Sequence, residues 1–306
     1  MKIAGSFVKN IVLYVMIIVA LVLVVLFPRN PAMVVSGKAL TVEMGYYFSW
    51  KEYKDNIAHF LQFVWTEKSL GDTRYERVTV EDEIKRYFPN SLKLIIPAFI
   101  LSLFLGMWKG VFDYKNKLNK KNIFGNGVTW LLQSIPDFFI VVCLQWLVIF
   151  IFPSLRLFSQ LNWYGFIVPA LLVSIYPMMY MARITSAALS DEEGQYYIQV
   201  AKAKGFPMKV VIKRHILRNG LKTILPHMTS LMVHILSSLL IVEYLIGYEG
   251  MAYRLFTALD FDLSFNMGSL SGFEPGVIIG IGLCFLLLVI VAQVTGFIIK
   301  RSLRIP

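Results

Sequence analysis

The sequence predicts an all-α integral membrane protein with six transmembrane helices and both termini in the cytoplasm. Of its 306 residues, 57% are hydrophobic and only 16% are charged, a composition typical of multi-span membrane proteins and not of soluble domains. The apolar residues are concentrated in long runs, and the Lys and Arg residues are concentrated between alternate runs.

Six apolar runs are long enough to cross a hydrocarbon layer of about 30 Å at about 1.5 Å per residue. They are Ile11–Phe27, Leu94–Phe112, Ile123–Phe152, Leu157–Ala182, Thr223–Val242 and Pro275–Ile299. Lys2 and Lys9 precede the first run as in a signal peptide, but no small-residue cleavage site follows it, so we expect an uncleaved span. The third run is longer than one crossing needs, which leaves its ends open.

The basic residues predict the orientation of these spans, because cytoplasmic loops are enriched in Lys and Arg. Sixteen would lie on one face: Lys2, Lys9, Lys115, Lys117, Lys120, Lys121, Lys202, Lys204, Lys209, Lys213, Arg214, Arg218, Lys222, Lys300, Arg301 and Arg304. The two short connections on the other face hold Arg156 and Arg254. We therefore expect cytoplasmic termini, and we attribute the net charge of +11 to topology and not to nucleic-acid binding.

These patterns divide the chain into three parts. Residues 1–27 form an N-terminal tail and the first span, residues 28–90 an extracytoplasmic segment, and residues 91–306 a five-helix core that includes a cytoplasmic region at 188–222. The segment 28–90 mixes aromatic and charged residues, which is compatible with a small folded cap or with an interfacial belt of Trp and Tyr. Composition leaves both open.

The cytoplasmic region contains the basic stretch YYIQVAKAKGFPMKVVIKRHILRN at 196–219, which predicts two short amphipathic helices joined by a bend. In the first helix one face holds Tyr197, Val200 and Ala201. Gly205 suits a left-handed position after that helix, and Pro207 both stops it and suits the first turn of the next. Such a pair either lies on anionic lipid or docks a cytoplasmic partner; the small residues Ala201 and Gly205 favour docking.

Three stretches resemble one family. ARITSAALSDEEGQYYIQVAKAKGFPMKVVIKRHILRNGL resembles the coupling region of binding-protein-dependent ABC transporter permeases, especially the B-type subunit of oligopeptide, dipeptide and nickel importers. SLGDTRYERVTVEDEIKRYFPNSLKL resembles the segment that leads into the second span of that subunit, and LLQSIPDFFIVVCL resembles its third span. The resemblance implies the type I ABC importer permease fold in the bacterial inner membrane.

The sequence departs from the family pattern in two places. Where the general coupling motif has Glu-Ala-Ala, this chain has Gln199, Val200 and Ala201, with Gly205 kept. The stretch VEYLIGYEGMAYRL after the fifth span keeps Glu243 and Gly250 but lacks the usual Trp and Pro. These changes bear on the outer gate and the substrate more than on the class of protein.

The resemblance also implies partners and a mechanism. A second permease subunit, in an expected heterodimer, would share the pathway, two cytoplasmic ATPase subunits would bind below, and an extracytoplasmic binding protein would deliver peptide. The residues expected to couple to an ATPase are Tyr197, Val200, Ala201, Lys202, Lys204 and Gly205. A nickel or metal-chelate importer of the same family is the alternative.

Two carboxylates are candidates for the pathway itself. Asp137 falls within the third apolar run, where a carboxylate is costly unless it faces a cavity or a partner. Glu243 lies at the outer end of the fifth run, where a gate, a binding-protein contact and an ordinary interfacial charge all remain open.

No residue pattern indicates an enzyme. The sequence has no Gly-rich phosphate loop with a Lys, so we expect a non-catalytic subunit that binds no ATP, metal or other cofactor. Cys143 and Cys284 fit buried apolar positions, and His227 and His234 share a helix face but have no further ligands at matching positions. A self-standing secondary transporter and a membrane enzyme are the rival hypotheses; the sequence shows neither paired broken spans nor a catalytic cluster.

Overall fold

The computed structural model describes residues 2–28, 31–35, 42–46, 48–75, 77–116, 123–151, 162–259 and 273–302. Within these ranges the helices are α1 Lys2–Val25, α2 Trp50–Glu67, α3 Val80–Lys115, α4 Val128–Ser134, α5 Asp137–Ile151, α6 Ile167–Asp191, α7 Tyr196–Ala203, α8 Met208–Val211, α9 Leu217–Ile224, α10 Met228–Ile246, α11 Met251–Ala258 and α12 Pro275–Ser302. One π turn, Ile123–Gly127, precedes α4, a second, Ile212–Ile216, joins α8 to α9, and a 3₁₀ turn, Leu225–His227, joins α9 to α10.

The helical membrane fold predicted from the sequence is confirmed, with one addition. Strands β1 (Pro31–Val35) and β2 (Val42–Tyr46) form an antiparallel ribbon that pairs Pro31 with Tyr46 and Val35 with Val42. The ribbon lies in the segment 28–90, where the sequence analysis named no strand.

Four described helices are long and apolar enough to cross a membrane: α3, α6, the continuous helix Met208–Ile246 and α12. The bent pair α4–α5 adds a fifth if it acts as one span, and α1 contributes a shorter apolar helix, Asn10–Val25. The count of six crossings and the cytoplasmic placement of the termini remain predictions.

The third apolar run is not one straight span. Helices Gly125–Ser134 and Phe138–Ile151 meet at an angle of 104°. The break is at Ile135, which is extended (φ −88°, ψ 133°), because a residue before proline is driven out of the helical region, here by Pro136. The predicted single run Ile123–Phe152 therefore consists of a short helix and a longer one.

The second amphipathic helix predicted after Gly205 is also not separate. It starts at Met208 and runs through the π and 3₁₀ turns into the fifth span, so that 39 residues, Met208–Ile246, form one continuous element. The prediction of a short independent helix was wrong, because nothing between residues 216 and 228 ends the helix. Pro226 lies at the start of the 3₁₀ turn Leu225–His227, where proline is tolerated.

The contacts group the chain into two compact units. The first comprises Met1–Arg86 and Leu255–Leu286, and the second comprises Tyr87–Arg254 and Leu287–Pro306. These units are not the three parts predicted from the sequence, whose boundaries at 27 and 90 stay a prediction.

In the first unit, α2 caps the end of α1. The Tyr53 hydroxyl donates to the carbonyl of Leu23 at 2.8 Å, and the Asn56 amide donates to the carbonyl of Leu26 at 3.4 Å, so two carbonyls at the end of α1 have partners. Phe27 stacks on Phe48 with ring centroids 5.3 Å apart. Elsewhere in this unit, the backbone N–H and the guanidinium of Arg74 both donate to the carboxylate of Glu274, at 2.9 and 2.7 Å.

In the second unit, α6 is the central helix and packs most extensively on α10. Helix α3 also approaches α6 very closely, through two glycines. A Cβ on Gly106 would lie 2.8 Å from the carbonyl of Met178, and one on Gly110 would lie 2.5 Å from that of Ala182. This is the small-xxx-small spacing that lets two membrane helices pack backbone to backbone.

Candidate functional site

The bend after α7 is a Schellman cap. The N–H of Gly205 donates to the carbonyl of Lys202 at 2.9 Å, and the N–H of Phe206 donates to the carbonyl of Ala201 at 3.3 Å. Gly205 has φ +77°, a left-handed conformation that glycine adopts without steric cost. The left-handed position predicted for Gly205 is therefore confirmed, and α7 ends in a defined turn.

Helix α7 is attached to the rest of the second unit by its inner face. Ile198 and Ala201 are buried in a cluster with Leu189 at the end of α6 and Ile212 and Ile216 in the turn after α8. Of the face predicted for α7, Tyr197 and Ala201 pack on this cluster, whereas Val200 is 52% exposed and Ile198 takes an inward position that was not predicted. Ala201 faces this cluster and not the solvent.

Tyr197 joins α7 to the end of α6 through a hydrogen bond. Its hydroxyl donates to the carboxylate of Glu192. Burial, followed by this hydrogen bond, raises the pKa of Tyr197 to about 12, so the hydroxyl keeps its proton and remains a donor at neutral pH. Together with the buried cluster, this contact attaches α7 to the end of α6.

The outer side of this region projects from the unit. Every residue from 202 to 210 is exposed, including Lys202, Lys204 and Gly205. Two apolar side chains one turn apart, Tyr196 (84% exposed) and Val200, lie on the outer side of α7, and Phe206 follows at 45%. We call these three residues with Lys202 and Lys204 the α7 surface. It combines apolar area with positive charge on a rigid element.

Glu243 is not an interfacial charge, because it is fully buried. Its carboxylate accepts hydrogen bonds from the Ser91 hydroxyl at 2.6 Å and from the N–H groups of Ala252 and Tyr253 at 2.7 and 3.2 Å. A Cβ on Gly250 would overlap this carboxylate, so the glycine leaves room for it. Glu243 thus holds the first turn of α11, and the alternative of an ordinary interfacial charge was wrong; its role as a pathway or gate residue stays a prediction.

Asp137 is the first residue of α5, directly after the break at Pro136. Its side chain lies outside what the structure describes, so its role as a pathway residue stays a prediction.

His234 on α10 and His227 in the turn before α10 both contact tyrosines of α6. The hydroxyl of Tyr180 lies 3.0 Å from Nδ1 of His227, and the rings of Tyr180 and His234 have centroids 4.4 Å apart. These contacts show that the two histidines pack against polar aromatic side chains. In the described part of the chain, no group of three or more His, Cys, Asp or Glu side chains is placed to hold a metal ion.

The sequence analysis missed a buried ion pair near the start of α4. Lys109 contacts Asp113 and donates to the carbonyl of Gly125 and the hydroxyl of Thr129, both at 3.1 Å, while Thr129 donates to Asp113 at 2.6 Å. The signal was present as a Lys and an Asp four residues apart at the end of an apolar run. The Gly106–Gly110 contact was missed as well, although its spacing is visible in the sequence.

The second unit thus joins long apolar helices to a short, capped, basic helix whose inner face is buried and whose outer face is exposed. The family described as the binding-protein-dependent transport system inner membrane component matches residues 102–305. The chain belongs to this family, and it is a multi-pass protein of the bacterial inner membrane.

Relatives in the family carry names from peptide transport. The chain is 28% identical over 179 residues to a dipeptide transport system permease protein of Bacillus subtilis, covering 56% of each chain. It is 29% identical over 182 residues to an oligopeptide transport system permease protein of Escherichia coli, covering 58% of each. A putative peptide transport system permease protein of Brucella abortus is 24% identical over 274 residues, which are 80% of this chain and 83% of the relative. The chain thus spans a little over half the length of the first two relatives.

Proposed function

We propose that this chain is one of two membrane subunits that form the translocation pathway of an ATP-driven importer for oligopeptides or dipeptides. A second permease subunit completes the pathway, two ATPase subunits bind on the cytoplasmic side, and an extracytoplasmic binding protein delivers the peptide. The family supports the class of protein, and the names of the relatives support the substrate. The chain itself carries no catalytic step.

The observation that carries the proposal is the arrangement of α7. Its inner face is buried against α6 and the start of the helix 208–246, while its other side forms the exposed α7 surface. An element of this kind transmits a displacement to the helices behind it, because packed side chains move as a block. We assign the α7 surface to a groove on an ATPase subunit.

The mechanism follows from these attachments. When ATP closes the two ATPase subunits, the groove moves and carries α7 with it. The Tyr197–Glu192 hydrogen bond and the buried cluster pass this movement to α6 and α10, which pack together along their length. ATP drives the change only by the difference in its binding to the two states of the complex.

The membrane orientation is part of the proposal. Six crossings with cytoplasmic termini put α7 on the ATPase side and the segment 28–90 on the side of the binding protein, in line with the sixteen basic residues of the predicted cytoplasmic face. The segment 28–90 then contributes to the surface that the binding protein meets.

Reconstitution tests the proposal. The chain is purified with its second permease and ATPase subunits, placed in vesicles with its binding protein, and given a peptide mixture from digested casein; peptides in the lumen are identified by mass spectrometry. We expect uptake that requires both ATP and the binding protein. Uptake without ATP would support a secondary transporter, and uptake of nickel with no peptide would support the metal-importing alternative; either result contradicts the proposal.

A further inference from the structure

The break in the third apolar run opens on a cavity of about 300 Å³. Its walls come from the α4–α5 junction, from α6 and from α10. We call this space the break cavity. Its lining residues are Gln133, Ser134, Ile135, Pro136, Tyr176, His234 and Ser237. A space of this size and polarity can hold several water molecules.

The cavity lies beside the inner turns of α6 and α10, which belong to helices long and apolar enough to cross a membrane. Tyr176 is the tenth of the 25 residues of α6, and His234 is the seventh of the 19 residues of α10. Non-helical backbone at that depth is tolerated only where it is covered by protein or faces a water-filled space. The extended residue Ile135 lines this cavity, which is compatible with water or a polar ligand beside it.

The side chains of the break cavity have a common chemistry. Five of its seven lining residues carry hydrogen-bonding side chains, and none of the seven is Asp, Glu, Lys or Arg. In the described part of the chain, no residue forms a hydrogen bond with the side chain of Gln133 or Ser237. His234 is held by the rings of Tyr176 and Tyr180, at 5.6 and 4.4 Å between centroids.

The outward face of α12 in the same unit is different. Between residues 287 and 298 its exposed residues are Leu287, Val291, Val294, Phe297 and Ile298, which are all apolar. Such a face suits lipid, whereas exposed amide and hydroxyl groups at mid-depth are costly in lipid and mark a polar pathway. The two faces therefore meet different surroundings.

We infer that the break cavity is a subsite of the translocation pathway that binds the main chain of the transported peptide. This inference rests on the proposed function. Neutral amide and hydroxyl groups exchange hydrogen bonds with peptide N–H and C=O groups and make no demand on the charge of the peptide side chains. A site of this kind suits a carrier of many sequences, since it recognises what all peptides share.

Cysteine accessibility tests whether the cavity is wet. In a chain with Cys143→Ala and Cys284→Ala, the variants Gln133→Cys and Ser237→Cys are treated, in the assembled complex in vesicles, with a charged, membrane-impermeant thiol reagent. Val291→Cys on the apolar face of α12 is the control. We expect both cavity cysteines to react and the casein peptides to slow that reaction, while the control stays unreactive. Cavity cysteines that react no faster than the control would overturn the inference.

Transport kinetics test the ligand. Ser237→Ala removes one neutral hydrogen bond, and we expect the half-saturating peptide concentration for uptake to rise about fivefold. Ser237→Thr keeps the hydroxyl and should restore uptake. Ser238→Ala is the matched control, because Ser238 is only 2% exposed and its hydroxyl has no partner among the described residues.

The two proposals fail in different ways. If the wild-type complex takes up peptides and Ser237→Ala behaves like Ser238→Ala, the break cavity is not a peptide subsite and the proposed function stands. If the wild-type complex takes up no peptide at all, the proposed function fails and the peptide ligand fails with it.

Discussion

Ser91 makes one hydrogen bond to the first turn of α11 and one to Glu243 of α10, which itself holds that turn. It donates to Glu243 at 2.6 Å and accepts from the N–H of Met251 at 2.7 Å, and it is fully buried. Ser91→Ala leaves both groups without that partner, so we expect a loss of about 1–3 kcal/mol in stability. The measurement is the midpoint of thermal unfolding of the purified complex.

Ser238→Ala again provides the comparison, because both serines are buried but the Ser238 hydroxyl has no hydrogen-bond partner in the described part of the chain. Its midpoint should stay the same or rise slightly. Equal losses in the two variants would show that the Glu243 contacts do not stabilise α11.

Gly205 is the residue whose backbone defines the end of α7. Gly205→Ala forces a side chain into φ +77°, at a cost of about 1 kcal/mol, although its Cβ would meet no atom within 4 Å. We expect the rate of amide hydrogen exchange at Phe206, the next residue, to increase about fivefold. Gly194→Ala is the control, since that glycine is also uncrowded and has no positive φ; the same change in both variants would contradict the role of the cap.

Single residues were predicted from the sequence where local chemistry decides the outcome. The left-handed Gly205 before Pro207 is such a case, because φ preference alone selects the residue. The burial of Glu243 was not predictable, because its partners Ser91 and Ala252 come from different parts of the chain. Val200 was misplaced on the face of α7 for a related reason: Val200 and Ile198 are both apolar, and tertiary packing buries Ile198.

At the scale of elements, the close packing of α3 on α6 depends on Gly106 and Gly110. A Cβ at Gly110 would also lie 2.6 Å from the Cβ of Thr185, so Gly110→Ala forces the two helices apart. We expect a destabilisation of about 1–3 kcal/mol from this overpacking. Thermal unfolding of the purified complex measures it.

Gly127→Ala serves as the counterpart, because a Cβ there meets no atom within 4 Å and the residue has helical angles. It should leave the unfolding midpoint nearly unchanged. A Gly110→Ala complex as stable as the Gly127→Ala complex would show that α3 and α6 are not packed backbone to backbone.

The elements themselves were predicted well where apolar runs are long and less well where they join. The runs beginning at Leu94 and Pro275 each lie in one helix of the structure, α3 and α12. The break at Ile135–Pro136 was missed, because apolar composition continues across it and the proline signal is also compatible with a kink. The ribbon β1–β2 was missed because its two strands, of five residues each, are too short to give a clear periodic signal.

At the scale of the whole molecule, the orientation of the spans is the first prediction. In a chain without Cys143 and Cys284, a single cysteine replaces either Trp65 on α2 or Ser302, the last residue of α12. Intact cells that carry each variant are treated with a membrane-impermeant thiol reagent. We expect labelling at position 65 alone, because the basic residues put the C-terminus in the cytoplasm. Labelling at position 302 in intact cells would reverse the proposed topology.

The central claim is that the α7 surface docks an ATPase subunit, and site-specific crosslinking tests it most directly. A single cysteine replacing Val200, which is 52% exposed, is linked to the ATPase through a short bifunctional reagent in the assembled complex, with and without ATP. We predict an ATPase adduct at position 200 whose yield changes with ATP, and none from a cysteine replacing Leu61 on α2. If no ATPase adduct forms at position 200 in complexes that still import peptide, the α7 surface does not dock the ATPase subunit.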